Sequence, residues 1–183
     1  MKKIIAAIAF TTLANISFAQ VQFTKNGTIQ FKSTTTNTVD KVEATNKSAV
    51  CKLNTATGEV EFGILIKSFV FTNDLMQQHF NENYMESDKF PKSTFKGKIE
   101  TLSAVNFKAD GVYKVLVQGA MTIHGVTKNV KVPGTVTIKG GKIAISSAFG
   151  IALADYGISL PGAVKDKISK EISTVLNCSL QSL

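Results

Sequence analysis

The chain has 183 residues, 44% of them hydrophobic and 19% charged, and carries a formal net charge of +8. All 21 basic residues are lysine, so the planar fork that reads guanine and clamps phosphate is missing and no nucleic-acid partner is expected.

Residues 1–19 read as a leader. Lys2 and Lys3 form a charged start, Ile4 to Ala9 open an apolar core, and Ser17-Phe18-Ala19 supply a small-x-small cleavage site. The apolar run is too short, and too broken by Thr and Asn, to span a bilayer. The expectation is a signal peptide of bacterial brevity, cut after Ala19, with residues 20–183 as one periplasmic or secreted domain large enough for its own core. Without Lys2 and Lys3 the net charge is +6, carried by scattered lysines. Such a surface suggests at most weak attraction to anionic membranes. Oligomeric state, a homodimer included, stays open.

Gln22-Phe23 and Thr28 to Lys32 alternate apolar and polar residues, as a strand does. Asp40 to Ala44 and Ala49 to Leu53 follow, then a turn at Asn54 to Gly58. The clearest strand is Glu59 to Val70, with Val60, Phe62, Ile64 and Ile66 on one face and Glu59, Glu61, Gly63 and Lys67 on the other. His79 to Pro91 (HFNENYMESDKFP) breaks this alternation. Asn73 or Asp74 can cap a helix from Leu75, which puts Met76, Phe80 and Tyr84 on one stripe. A short helical insertion over residues 73–88, between two strands, is expected to pack over one barrel mouth as a lid.

Strands resume at Ser93 to Leu102 and Gly111 to Ile123. In the latter, Tyr113, Val115, Val117, Gly119, Met121 and Ile123 share a face. A glycine in mid-strand marks a bend or a close approach. His124-Gly125 forms a turn, Lys128 to Val132 and Gly134 to Lys139 continue the meander, and Gly140-Gly141 turns into Lys142 to Ala148. Gly150 to Lys170 reads as loop, broken by Gly157, Pro161 and Gly162, before a last strand at Ser173 to Leu180.

At least eight short strands with Gly- or Asn-marked turns predict an all-β antiparallel barrel or sandwich. An outer-membrane barrel would carry aromatic girdles and outward apolar residues. Here there is no tryptophan, only three tyrosines, lysine opposite the apolar face and a non-aromatic end at Ser182-Leu183. A barrel apolar inside is the better account, and eight strands enclose either a filled core or one small ligand.

Cys51 and Cys178 both fall on apolar registers. An even count in an exported chain allows a disulfide, and two buried thiols fit the pattern as well. No catalytic constellation emerges: there is no G-x-S-x-G elbow, and Glu82 and Glu86 read as a solvated helix face. His79, Glu82 and His124 have the composition of a two-histidine, one-carboxylate metal set, but nothing in the sequence joins them. No cofactor is expected.

Two stretches then carry a resemblance. His79-Phe80, Asn83-Tyr84-Met85 and Lys89-Phe90-Pro91-Lys92-Ser93-Thr94-Phe95, followed by Val117-Gln118-Gly119 and Met121 to Lys128 (MTIHGVTK), resemble the two signature segments of the YceI-like family in order and spacing. The resemblance implies a lipocalin-like antiparallel barrel, exported in bacteria, that binds a polyisoprenoid chain inside and has no known catalysis. On the inward faces and the helical stripe read above, the lipid is expected to thread among Phe62, Ile64, Ile66, Tyr113, Val115 and Val117, beneath a lid bearing Met76, His79, Phe80 and Tyr84. Many members carry Arg-Asp shortly before the motif histidine, where Met76 and Gln77 stand here. With no arginine, a quinone head group is favoured over a prenyl phosphate. The rivals are a filled-core interaction module and, more remotely, a metal-dependent enzyme.

Overall fold

The computed structural model describes residues 20–33, 42–160 and 169–182. The expected leader, Asp40 of the second predicted strand, and Pro161 and Gly162 of the predicted loop lie outside them. Nine strands form one antiparallel sheet: β1 (Val21–Ser33), β2 (Glu43–Asn54), β3 (Glu59–Leu65), β4 (Val70–Phe71), β5 (Lys92–Ile99), β6 (Gly111–Ile123), β7 (Val126–Lys139), β8 (Lys142–Ala152) and β9 (Glu171–Ser182). The hydrogen-bonded order is β1-β9-β8-β7-β6-β5-β3-β2-β4, and β1 also pairs with β2, so the sheet closes. β3 and β4 both pair with β2 and make one stave, interrupted by a 3₁₀ turn at Ile66–Ser68. The described residues thus form an eight-stave all-β barrel, with one short α-helix among them, α1 (Asp74–His79).

Both predicted glycine turns are tight hairpins. His124 and Gly125 have φ of 50° and 75°, and Gly140 and Gly141 have 56° and 74°. Positive φ at both central residues matches the twist of the flanking strands.

The strand read at Glu59–Val70 ends at Leu65 and the one read at Ser93–Leu102 ends at Ile99, and three further boundaries differ from the sequence reading. The two strands read at Asp40–Ala44 and Ala49–Leu53 are one, β2. The polar gap between them is a register shift against β1, filled by Asn46, which is fully buried. Its Nδ2 donates to the Leu65 carbonyl at 3.0 Å, and its Oδ1 accepts from the Ser48 N–H at 2.8 Å and the Ser48 hydroxyl at 3.0 Å. Asn46→Ala should destabilise the fold by about 2–3 kcal/mol. The check is a lower urea midpoint at an unchanged denaturant slope.

The second difference is β7, which runs straight through Pro133. Proline cannot donate to a ladder, and here no ladder bond is needed. β7 pairs with β8 only from Thr135 to Lys139, and the Ser147 hydroxyl donates instead to the Pro133 carbonyl at 2.5 Å. The third is the predicted loop at Gly150: β8 extends to Ala152, followed by a 3₁₀ turn at Leu153–Tyr156.

The barrel's two halves are packed differently. One half is filled by Leu53, Ile99, Val136, Ile138, Ile143 and Leu180. Cys51 and Cys178 sit in this core as buried free thiols. A hydrogen bond to Cys178, reinforced by burial, pushes the Cys51 thiol far above its ordinary range, so it stays protonated and unreactive. A Cβ on Gly27 would lie 2.6 Å from Cys178 Sγ, so only glycine leaves β1 room to pass that sulfur. The other half of the barrel is hollow.

An apolar cavity beneath a helical lid

The hollow half contains a cavity of about 450 Å³, within the size range of small-molecule sites. It is ringed by Ile29 and Phe31 of β1, Ile64 of β3, Phe71 of β4, Ser93, Thr94 and Phe95 of β5, Met121 and Ile123 of β6, Phe149 and Ile151 of β8, and Ile172 and Thr174 of β9. Among the described lining residues there is no lysine, aspartate or glutamate.

The lid is built locally by its sequence. Asn73 Oδ1 accepts from the Met76 N–H at 3.0 Å and caps α1, as the sequence allowed. After one and a half turns the chain widens into a π turn, Phe80–Tyr84, closed by the Met85 N–H on the Phe80 carbonyl at 2.9 Å. Such widened turns are frequent at functional sites. The Asn81 amide donates to the Gln77 carbonyl at 2.9 Å. The stripe of Met76, Phe80 and Tyr84 faces the cavity.

Phe80 is the lid's anchor. Its ring lies 5.5 Å from Phe31, 5.6 Å from Phe69 and 5.0 Å from Phe71, centroid to centroid. Phe31 completes the cluster at 5.1 Å from Phe69 and 5.7 Å from Phe71. Aromatic pairs at these separations contribute beyond their buried area.

The predicted lining residues divide in two. Phe62, Ile64, Ile66, Met76, His79, Phe80 and Tyr84 all line the cavity. Tyr113, Val115 and Val117 do not. β6 enters the barrel at the filled end, so its first inward residues pack into the core and only Met121 and Ile123 reach the hollow. Val117 is buried, Val115 packs towards Gly134, and the Tyr113 hydroxyl donates to the Asn106 carbonyl at 3.3 Å.

Phe69 and Phe71 escaped the sequence reading because the 3₁₀ turn at Ile66–Ser68 shifts the alternation by one residue. The break in period after Ile66 was the available signal. Phe31, Phe95, Phe149, Ile151 and Ile172 needed the closure of the barrel to converge.

His79, Glu82 and His124 do not meet: among the described residues no three metal-capable side chains come together. His124 is engaged elsewhere. Its ring lies against Phe90 at 4.6 Å and reaches Glu86 and the backbone of Tyr156. Tyr156 is buried; that burial, with Asp155 beside it, raises its phenol above the ordinary range.

The model of the YceI-like domain family matches residues 12–179. Among solved structures, a polyisoprenoid binding domain from Saccharophagus degradans superposes with a TM-score of 0.75 at 13% identity, over 91% of this chain and 100% of its own. BcnA of Burkholderia cenocepacia follows at 0.67 and 20% identity, over 85% of this chain and 96% of its own. A Campylobacter jejuni YceI protein matches at 0.54 and 19% identity, over 80% and 88%. No curated protein matches the sequence.

Proposed function

We propose that this chain, which belongs to the YceI-like domain family, binds one isoprenoid lipid in its hollow half and serves to carry or store it. The observation that carries this reading is the cavity: about 450 Å³, walled by aliphatic and phenylalanine side chains and roofed by an amphipathic lid. Among the described lining residues the titratable side chains are His79 and Tyr84, and a wall of that kind supports the reading of a binder. The likeness to a polyisoprenoid binding domain supports the ligand class.

The head group we assign is neutral, an isoprenoid quinone in preference to a prenyl phosphate. The described lining residues include no lysine and the chain has no arginine, so those residues offer no counter-charge for a buried pyrophosphate. Ten to fifteen buried CH₂-sized groups would contribute roughly 8–12 kcal/mol. Association costs of several kcal/mol leave affinity on the order of micromolar. Residues 1–19 are read as an export signal, which places the carrier in the periplasm or outside the cell.

The test is native mass spectrometry of the exported protein, with extraction of bound lipid. A near-stoichiometric isoprenoid mass is expected, and Ile151→Trp, which fills the cavity from β8, should lower quinone affinity at least about tenfold while the barrel stays folded. A protein that purifies without lipid and ignores both quinones and prenyl phosphates would sink the carrier reading.

A further inference from the structure

Two hydrogen bonds at one imidazole fix its proton count. His124 Nδ1 lies 3.2 Å from the Tyr156 carbonyl oxygen, and His124 Nε2 lies 2.9 Å from Glu86 Oε2. A carbonyl only accepts, so Nδ1 bears a hydrogen. An ionised carboxylate also only accepts, so Nε2 bears a second hydrogen, or Glu86 is protonated and donates to it. Either way the pair holds one proton more than a neutral histidine beside a carboxylate. Without that proton, lone pairs face each other across a hydrogen-bond distance.

The two partners belong to different segments beside the cavity, the lid and the turn after β8. Glu86, with φ of 41°, ends the lid directly after Met85, which is buried and lines the cavity. Tyr156 ends the 3₁₀ turn that plugs the seam left where β7 and β8 separate. Beside that turn an open groove is lined by Val130, Val132, Pro133 and Tyr156 together with Met121 and Phe149. Met121 and Phe149 also line the main cavity, so these two side chains are shared between groove and cavity. A single imidazole, its side chain 12% exposed, therefore fastens both the lid and the seam plug.

We propose that His124 is a proton-dependent latch: with the shared proton it holds lid and plug together, and loss of that proton loosens the lid around Glu86 and eases the way to the cavity. The ligand-passage role rests on the carrier reading; the latch itself does not. The charged groups around it set which segment moves. Lys89 Nζ lies 4.0 Å from Glu86 Oε1 and takes over the carboxylate once the imidazole is neutral. Lys128 of β7 lies 3.7 Å from Asp155 on the plug and keeps the plug tethered. Lys67 pairs with Asp88, two residues beyond Glu86, and keeps that end of the lid on the barrel, so what loosens as pH rises is the stretch around Glu86.

The experiment is amide hydrogen exchange on the full chain without ligand, at about pH 5 and about pH 8, which bracket histidine titration, corrected for intrinsic exchange. Protection at residues 85–90 should fall about tenfold at the higher pH, while residues 153–158 change less. Glu86→Gln should abolish that slope, because an amide can present either a donor or an acceptor to the ring. Ring nitrogen shifts at the lower pH should show the pair's extra proton. Equal wild-type protection at both values, or an unchanged slope in Glu86→Gln, would overturn the latch. A parallel arm follows release of a preloaded short-tailed isoprenoid quinone, expected to quicken about tenfold with the same pH change. If that quinone fails to bind at all, the carrier reading falls, and the exchange slopes still decide the latch.

Discussion

Gly119→Val is expected to remove most of the fold's stability, about 3–5 kcal/mol of the 5–15 kcal/mol a domain of this kind possesses. A Cβ on Gly119 would lie 2.3 Å from the Lys96 carbonyl oxygen and 2.4 Å from Gly97 Cα. Both obstacles are backbone of β5, held in register by the ladder that pairs Gly97 with Gly119, so neither can swing aside as a side chain would. The facing glycine is equally constrained: a Cβ on Gly97 would sit 2.5 Å from Phe95 Cζ. Gly97 thus lets the Phe95 ring fold inward over its own strand, and Gly119 lets β6 approach β5 at that point. That ring lines the cavity, at the level where β6 passes from the packed Val117 to the cavity-lining Met121. The pair therefore fixes where the filled half stops and the hollow begins. Gly63→Val is the control. It lies on the outward side of β3, where a Cβ meets nothing within 4 Å, and a valine there suits a strand. Chemical denaturation should show a collapse for Gly119→Val and little change for Gly63→Val. Comparable losses in both would mean that strand glycines serve this barrel generally and that the Gly97–Gly119 approach has no special standing.

How far such features could be read in advance depended on whether their cause was local. The hairpin at His124-Gly125, the Asn73 cap and the stripe of Met76, Phe80 and Tyr84 follow from residues within one turn or one hairpin of each other, and the sequence displays them directly. Gly119 could be flagged as a bend or close approach, but not which strand approached it. The limits of the cavity were not legible, because every inward residue of an alternating strand looks alike. Tyr113, Val115 and Val117 share a face with Met121 and Ile123, and only the direction in which β6 crosses the barrel separates core from cavity wall. Likewise Phe69 and Phe71 lay beyond a one-residue slip at Ile66–Ser68 that no alternation pattern encodes. Pro133 misled in the other direction: it reads as a strand break, yet it faces the one seam where β7 has no ladder to lose. The metal set of His79, Glu82 and His124 was assembled from composition, and the fold spends His124 on Glu86 and Tyr156 instead.

Phe80→Ala is expected to release the lid while leaving the barrel standing. Phe80 is the only residue of the insertion whose ring meets Phe31, Phe69 and Phe71 together, and these three belong to the barrel or to the turn that interrupts its third stave. Truncating a ring in such a cluster costs about 2–3 kcal/mol for a partly exposed site, which raises the open fraction roughly 30- to 150-fold. The loss is confined to the lid, because Phe31, Phe69 and Phe71 still pack on one another. Amide exchange should therefore accelerate through residues 74–85 by that factor, with β5 to β9 unchanged and the global unfolding midpoint only slightly lower. Bound isoprenoid quinone should dissociate faster by a similar factor, since the closed lid is what covers it. Phe80→Leu should recover part of both effects, as a smaller apolar group in the same place. If exchange in the lid stays slow after Phe80→Ala, then the Asn73 cap, the π turn and the His124–Glu86 contact hold it shut by themselves. The aromatic stripe would then be part of the cavity wall and not its fastening.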